Sequence, residues 1–120
     1  MNKPLAFVIE DDPDLSKIFS KALQSVGLEV EIIPDGLEAL RRVTDSDPLI
    51  IVLDMHLPNV DGLEILNAIR NNPRLQSTRV IVATADANMS DMARRQADLV
   101  LLKPISYSQL RDLVSRLLLV

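Results

Sequence analysis

Four short apolar runs in this chain each end in a charged or hydroxyl side chain, and helical patterns lie between them. Leu5-Ala6-Phe7-Val8-Ile9 ends in Glu10-Asp11-Asp12, and Leu49-Ile50-Ile51-Val52-Leu53 ends in Asp54. Val80-Ile81-Val82-Ala83 ends in Thr84, and Leu99-Val100-Leu101-Leu102 ends in Lys103-Pro104. Apolar runs of this length between turn signals read as strands buried on both faces, the habit of parallel sheets. In open α/β sheets, chemistry sits beyond the carboxyl ends of the strands. The pattern therefore narrows the fold class and delivers Glu10, Asp11, Asp54, Thr84 and Lys103 to one edge.

The intervening segments fit that fold. Leu15, Ile18, Phe19, Ala22, Leu23 and Val26 share one helical face. Asp12 before Pro13 reads as a cap with proline at the first helical position, and Gly27 stops the helix. A further strand is expected at about Glu29 to Ile33. A helix follows from Asp35 or Gly36, using Leu37, Leu40 and Val43. Leu63, Leu66 and Ile69 mark a third helix that Asn72-Pro73 ends, and a short fourth fits only near Met89 to Gln96. Leu110, Leu113, Val114, Leu117 and Leu118 mark the last. Five strands alternating with five helices predict a flavodoxin-like (βα)5 doubly wound parallel sheet in the order 2-1-3-4-5. Its crevice falls between strands 1 and 3, which carry Glu10-Asp11 and Asp54.

Bulk properties exclude several alternatives. The 120 residues suit one domain over 1–120 with no output domain. No apolar stretch is long enough to span a bilayer, and no signal peptide opens the chain, so the cytoplasm is the default location. Cysteine is absent, which removes disulfides and thiolate metal sites. A net charge of −4 argues against nucleic-acid binding, and Arg41-Arg42 and Arg94-Arg95 read as solvated helix faces.

Three carboxylates at one edge repel each other, since two charges about 4 Å apart interact by roughly 4 kcal/mol at an effective dielectric near ~20. The cluster needs a cation or a proton. An all-oxygen set selects a hard ion, and few carboxylates beside a phosphate suit Mg²⁺ better than a Ca²⁺ cage. Lys103 adds a positive charge and Thr84 a rotatable hydroxyl. Acid, metal, lysine and hydroxyl together can handle a phosphoryl group, with an Asp carboxylate as nucleophile. Asp54 is the best candidate acceptor.

The ordered set Glu10-Asp11, Asp54, Thr84 and Lys103-Pro104 resembles the receiver domain of bacterial two-component response regulators, across essentially the whole chain. The stretch Asp54-Met55-His56-Leu57-Pro58-Asn59-Val60-Asp61-Gly62 looks like that family's phosphorylation loop. The resemblance implies that Asp54 accepts phosphate from a sensor kinase histidine or a phosphotransfer protein. It implies that Asp11, Asp54 and the backbone carbonyl of His56 ligate Mg²⁺, with Glu10 acting through water. Lys103 would pair with the phosphoryl group and Thr84 would move toward it. It also selects Glu10-Asp11 as the acidic pair, leaves Asp12 as the helix cap, and implies a cis Lys103-Pro104 bond. Asp61-Gly62 is expected to shape the loop and cap the third helix.

The chain departs from the family in two places. Val100 stands where a receiver usually carries Tyr or Phe, and Tyr107 is not its equivalent. The interval from Thr84 to Lys103 is short, so the fourth helix region must be trimmed. His56 and Asp86 occupy positions that the family varies to set phosphate lifetime. Two other functions compete. A degenerate receiver would act as a constitutive interaction module. A phosphohydrolase resembling the haloacid dehalogenases would need an Asp two residues after the nucleophile, where this chain has His56. The apolar ending Leu117-Leu118-Leu119-Val120 is expected to reflect either a cut from a longer protein or a contact with a second subunit, such as a homodimer, or another domain.

Overall fold

The computed structural model describes residues 3–119. Its strands are β1 (Leu5–Ile9), β2 (Glu29–Ile33), β3 (Ile50–Asp54), β4 (Arg79–Thr84) and β5 (Leu99–Leu102). They form one parallel sheet in the order β2-β1-β3-β4-β5. The helices are α1 (Pro13–Ser25), α2 (Gly36–Asp45), α3 (Gly62–Arg70), α4 (Asp91–Gln96) and α5 (Tyr107–Leu118), with a 3-10 turn at Pro73–Leu75. Each of the β2, β3, β4 and β5 expectations is met in place, and α4 is the short helix that the sequence interval demanded.

The alternation of strand side chains explains the two-layer core. Phe7, Ile9, Ile33, Ile51, Leu53, Val80 and Val82 point to one face, where α2, α3 and α4 cover them. Ala6, Val8, Ile50, Val52, Ile81 and Ala83 point to the other, under α1 and α5. Every residue of β3 is buried, as a central strand with helices on both faces requires.

Local signals end the helices. The Asp12 carboxylate accepts the Asp14 and Leu15 amides ahead of Pro13. Gly27 follows α1 at φ +93°, and the Gly27 and Leu28 amides donate to the Gln24 and Leu23 carbonyls. Asp35, Asp61, Ser90 and Ser106 cap the other four helices. Lys103-Pro104 is cis, as the resemblance implied.

Leu15, Val26, Leu40, Leu63, Leu113, Leu117 and Leu118 are half-buried, and two expected core positions, Ile18 and Leu37, are exposed. Each lies at the margin of its helix's apolar stripe, where periodicity does not say how wide the sheet's cover is. Ala39 and Val43 carry the burial of α2 instead, with Leu40 half-buried. Of the apolar ending, Leu119 is largely exposed and Val120 lies outside the described residues.

Candidate functional site

Register fixes where the polar residues meet. Ile9 pairs with Leu53 and Asp54 pairs with Ala83, so β1, β3 and β4 finish at nearly the same level. Glu10, Asp11 and Asp54 follow from that level, and one carboxylate oxygen of each lies within 4.8 Å of the others. Glu10 and Asp54 are buried, at 2% and 4% exposure, while Asp11 is exposed. The cluster therefore has a buried floor and an open rim.

Lys103 reaches over from the end of β5. Its Nζ lies 2.9 Å from Glu10 Oε1 and 3.4 Å from Asp54 Oδ1. Its main-chain amide donates to the Thr84 carbonyl at 2.8 Å, which ties the β5 terminus to that of β4. Burial pushes the Glu10 carboxyl above its ordinary value and the neighbouring Asp54 charge adds to this, against the Lys103 hydrogen bond and the Asp12 amide. Burial also opposes the charge on Lys103, but its hydrogen bond to Glu10 and the Asp54 and Glu10 charges more than offset that. Its pKa is therefore raised and the amine stays protonated.

The loop after β3 supplies a second donor. The His56 amide donates to Asp54 Oδ1 at 3.1 Å, orienting the carboxylate. Loop shape depends on close approach. A Cβ on Gly62 would lie 2.5 Å from Met55 Cα and 2.8 Å from Met55 O, so only glycine fits there. Asn59 takes a positive φ of 73°, which asparagine tolerates better than most residues. Asp61 then caps α3 by accepting the Leu63 amide.

Thr84 is fully buried at the end of β4. Its Oγ1 accepts the Asp86 amide at 3.1 Å and lies 3.4 Å from His56 Nε2. Val100, the position of the missing aromatic ring, is half-buried against the α3 and α4 side of the core.

All five expected residues thus converge. Three oxygen donors, two of them buried, beside one lysine leave an excess of negative charge that fits a hard divalent cation. The sequence did not reveal that Lys103 pairs most closely with Glu10, or that the His56 amide holds Asp54. The Lys103 contact joins residues 93 positions apart and has no local signature, whereas the His56 amide lies two residues after Asp54, the reach of an Asx turn that an Asp opening a loop can signal.

Comparison with known proteins gives a consistent result. The pattern of the response regulator receiver domain matches residues 6–115. Protein PilG of Pseudomonas aeruginosa is 32% identical over 106 residues, covering 86% of this chain and 78% of PilG. The transcriptional regulatory protein TrcR of Mycobacterium tuberculosis is 36% identical over 112 residues, covering 92% of this chain but 42% of TrcR. The crystal structure of response regulator TrrA from Thermotoga maritima, in complex with Mg²⁺ and BeF, superposes with a TM-score of 0.82 at 26% identity. It covers 95% of this chain and 98% of that one.

Proposed function

Because the chain belongs to the response regulator receiver domain family, we propose that Asp54 is its phosphoacceptor, receiving phosphate from a phosphohistidine of a sensor kinase or phosphotransfer protein. The observation that supports this most is the buried Asp54 carboxylate, held by the His56 amide and Lys103 and flanked by Glu10 and Asp11. Receiver domains are signalling switches rather than enzymes of the usual kind. In this reading the chain assists its own phosphorylation and dephosphorylation, and residues 1–120 form one receiver unit. Among the described residues no helix is long and apolar enough to cross a membrane, which agrees with the proposed cytoplasmic location.

Asp11, Asp54 and the His56 carbonyl would hold Mg²⁺, with Glu10 reaching it through water. When bound, the ion neutralises the carboxylates and the phosphoryl oxygens. An Asp54 oxygen attacks phosphorus in line. The new O–P bond forms as the P–N bond of the donor histidine breaks, and the imidazole leaves with that electron pair and takes a proton from solvent. Lys103 balances charge on the phosphoryl oxygens by turning from Glu10 toward them. Thr84 donates its hydroxyl to a phosphoryl oxygen, and that movement carries the state to the segment after β4.

A small phosphodonor with Mg²⁺ should add one phosphate, read by intact mass, and Asp54→Asn should abolish it. Labelling of that variant at the wild-type rate would sink the assignment. The phosphohydrolase alternative predicts steady release of inorganic phosphate from a monoester. His56 at the position of the needed general acid speaks against it.

A further inference from the structure

Gly36 opens α2, away from the carboxylates, yet it touches the loop that carries His56. A Cβ built on Gly36 would lie 2.7 Å from Val60 Cβ, 3.2 Å from Val60 Cγ2 and 3.6 Å from Ile65 Cδ1. Its φ lies outside the left-handed region, so its backbone does not call for glycine. Alanine is also the better helix former. What glycine supplies here is room.

Val60 cannot yield easily. It is 5% exposed, and its Cβ is fixed to a main chain constrained by Asn59 at positive φ and by the Asp61 cap. The same loop is pressed at its other end, where Met55 lies over Gly62. His56 sits between these two contacts, and its amide holds Asp54 Oδ1. A shift of the loop at Val60 is therefore passed to the peptide that orients Asp54.

We propose that Gly36 is a positioning residue for phosphorylation: by letting Val60 seat on the first turn of α2, it sets the depth of the 55–61 loop and thereby the placement of the His56 peptide about Asp54. The inference rests on the phosphoacceptor reading for its consequence, but the seating itself is independent of it.

The test is a double-mutant cycle of Gly36→Ala and Val60→Gly. Three quantities are read: the His56 amide resonance in cation-free protein, Mg²⁺ affinity by calorimetry, and the labelling rate with a small phosphodonor. Gly36→Ala should displace the His56 resonance and weaken Mg²⁺ binding by roughly 10-fold, the cost of disturbing a group behind a ligand. In the Val60→Gly background, Gly36→Ala should change none of the three, because the obstruction is gone. Val60→Ala, which only loosens the same contact, should move the His56 resonance even if Gly36→Ala does not fold. Ile69→Val, a core change remote from the loop, should lower stability and leave Mg²⁺ affinity alone.

Two outcomes overturn the proposal. One is a lower melting point for Gly36→Ala with an unmoved His56 resonance and unchanged affinity. The other is an equal effect of Gly36→Ala with and without the Val60 side chain. If the wild type binds no Mg²⁺ and accepts no phosphate while the His56 resonance follows the cycle, the seating stands and the phosphoacceptor reading fails.

Discussion

Residues 55–61 follow β3 and residues 85–90 follow β4, and both leave the sheet beside Asp54. The first segment is wedged between neighbours: Met55 lies over Gly62, Val60 lies over Gly36, and Leu57 and Val60 are buried in the core. The second stands largely in solvent, with Ala85, Asp86, Ala87, Asn88 and Ser90 all exposed. Its ties up to Asn88 are few: the Asp86 amide to Thr84 Oγ1, the Asn88 amide to Asp86 Oδ1, and Arg94 to the Ala87 carbonyl; beyond them partly buried Met89 packs on the core and Ser90 caps α4. The difference separates two tasks. In the proposed function the wedged segment keeps a geometry ready for the incoming group, and the loosely tied one reorganises without opening the core.

The loose segment has a firm far end. Arg70 at the end of α3 donates to the Gln96 and Thr78 carbonyls at 2.7 and 2.9 Å and pairs with Asp98 at 2.9 Å. Asp98 also accepts the Val80 amide at 2.7 Å and pairs with Arg79. Any rearrangement that begins at Thr84 is therefore bounded at Gln96. If Thr84 carries the response as proposed, these ties confine it to residues 85–95.

The largest effect should fall on the carboxylate cluster beside the wedged segment. Asp11→Ala should weaken Mg²⁺ binding by more than the roughly 10- to 100-fold that a change behind a ligand costs. Calorimetric affinity within threefold of wild type, about 0.7 kcal/mol, would remove Asp11 from the donor set. Next comes the boundary. Arg70→Met removes the arginine donor from the Gln96, Thr78 and Leu75 carbonyls and one of the two arginines paired with the half-buried Asp98, and should cost about 2 kcal/mol by denaturant unfolding. With a phosphoryl mimic bound, its hydrogen-exchange response should spread past Gln96. A response still ending there would show that Arg70 is not the anchor.

A smaller effect separates acquisition from response. Thr84→Ala should still take up phosphate, more slowly, but lose the exchange response between 85 and 95. A wild-type response would break the link between β4 and that segment. Strong changes confined to α3 in the unmutated chain would reverse the comparison altogether.

The smallest effect is on pH dependence. Burial raises the folded pKa of Glu10 above its ordinary value of 4.5. Between that value and the raised one, the folded state binds more protons than the unfolded chain, so stability falls as pH rises. Glu31, lowered mainly by its hydrogen bond to Arg42, has the opposite sign and acts below 4.5. Without divalent cation, Glu10→Gln should remove the decline above 4.5 in denaturant titrations. Equal slopes for the two proteins would contradict the burial argument.

What the sequence disclosed follows from these contrasts. Strand ends were legible because apolar runs stop at Glu10, Asp54, Thr84 and Lys103, and caps were legible at Asp12, Asp61 and Gly27. Those signals are local. The exposure of Ile18 and Leu37 was not legible, because a stripe's periodicity does not report the width of the surface it meets. Gly36 against Val60, Arg70 against Gln96 and Lys103 against Glu10 join residues far apart in sequence, so no spacing announces them. Even so, the family resemblance was visible from the ordered set alone, since parallel strands of matched register leave few other ways to place it.

The chain holds a single histidine, and its ring lies 3.4 Å from Thr84 Oγ1. Its carbon-bound ring protons therefore give one pair of lines in a proton spectrum, with no other imidazole to overlap them. In the proposed function the Thr84 hydroxyl turns toward phosphate, and a ring beside it is a label already installed. If Thr84 turns as proposed, phosphorylation should shift those lines, and where the two forms give separate lines their intensities would report the phosphorylated fraction in unlabelled protein.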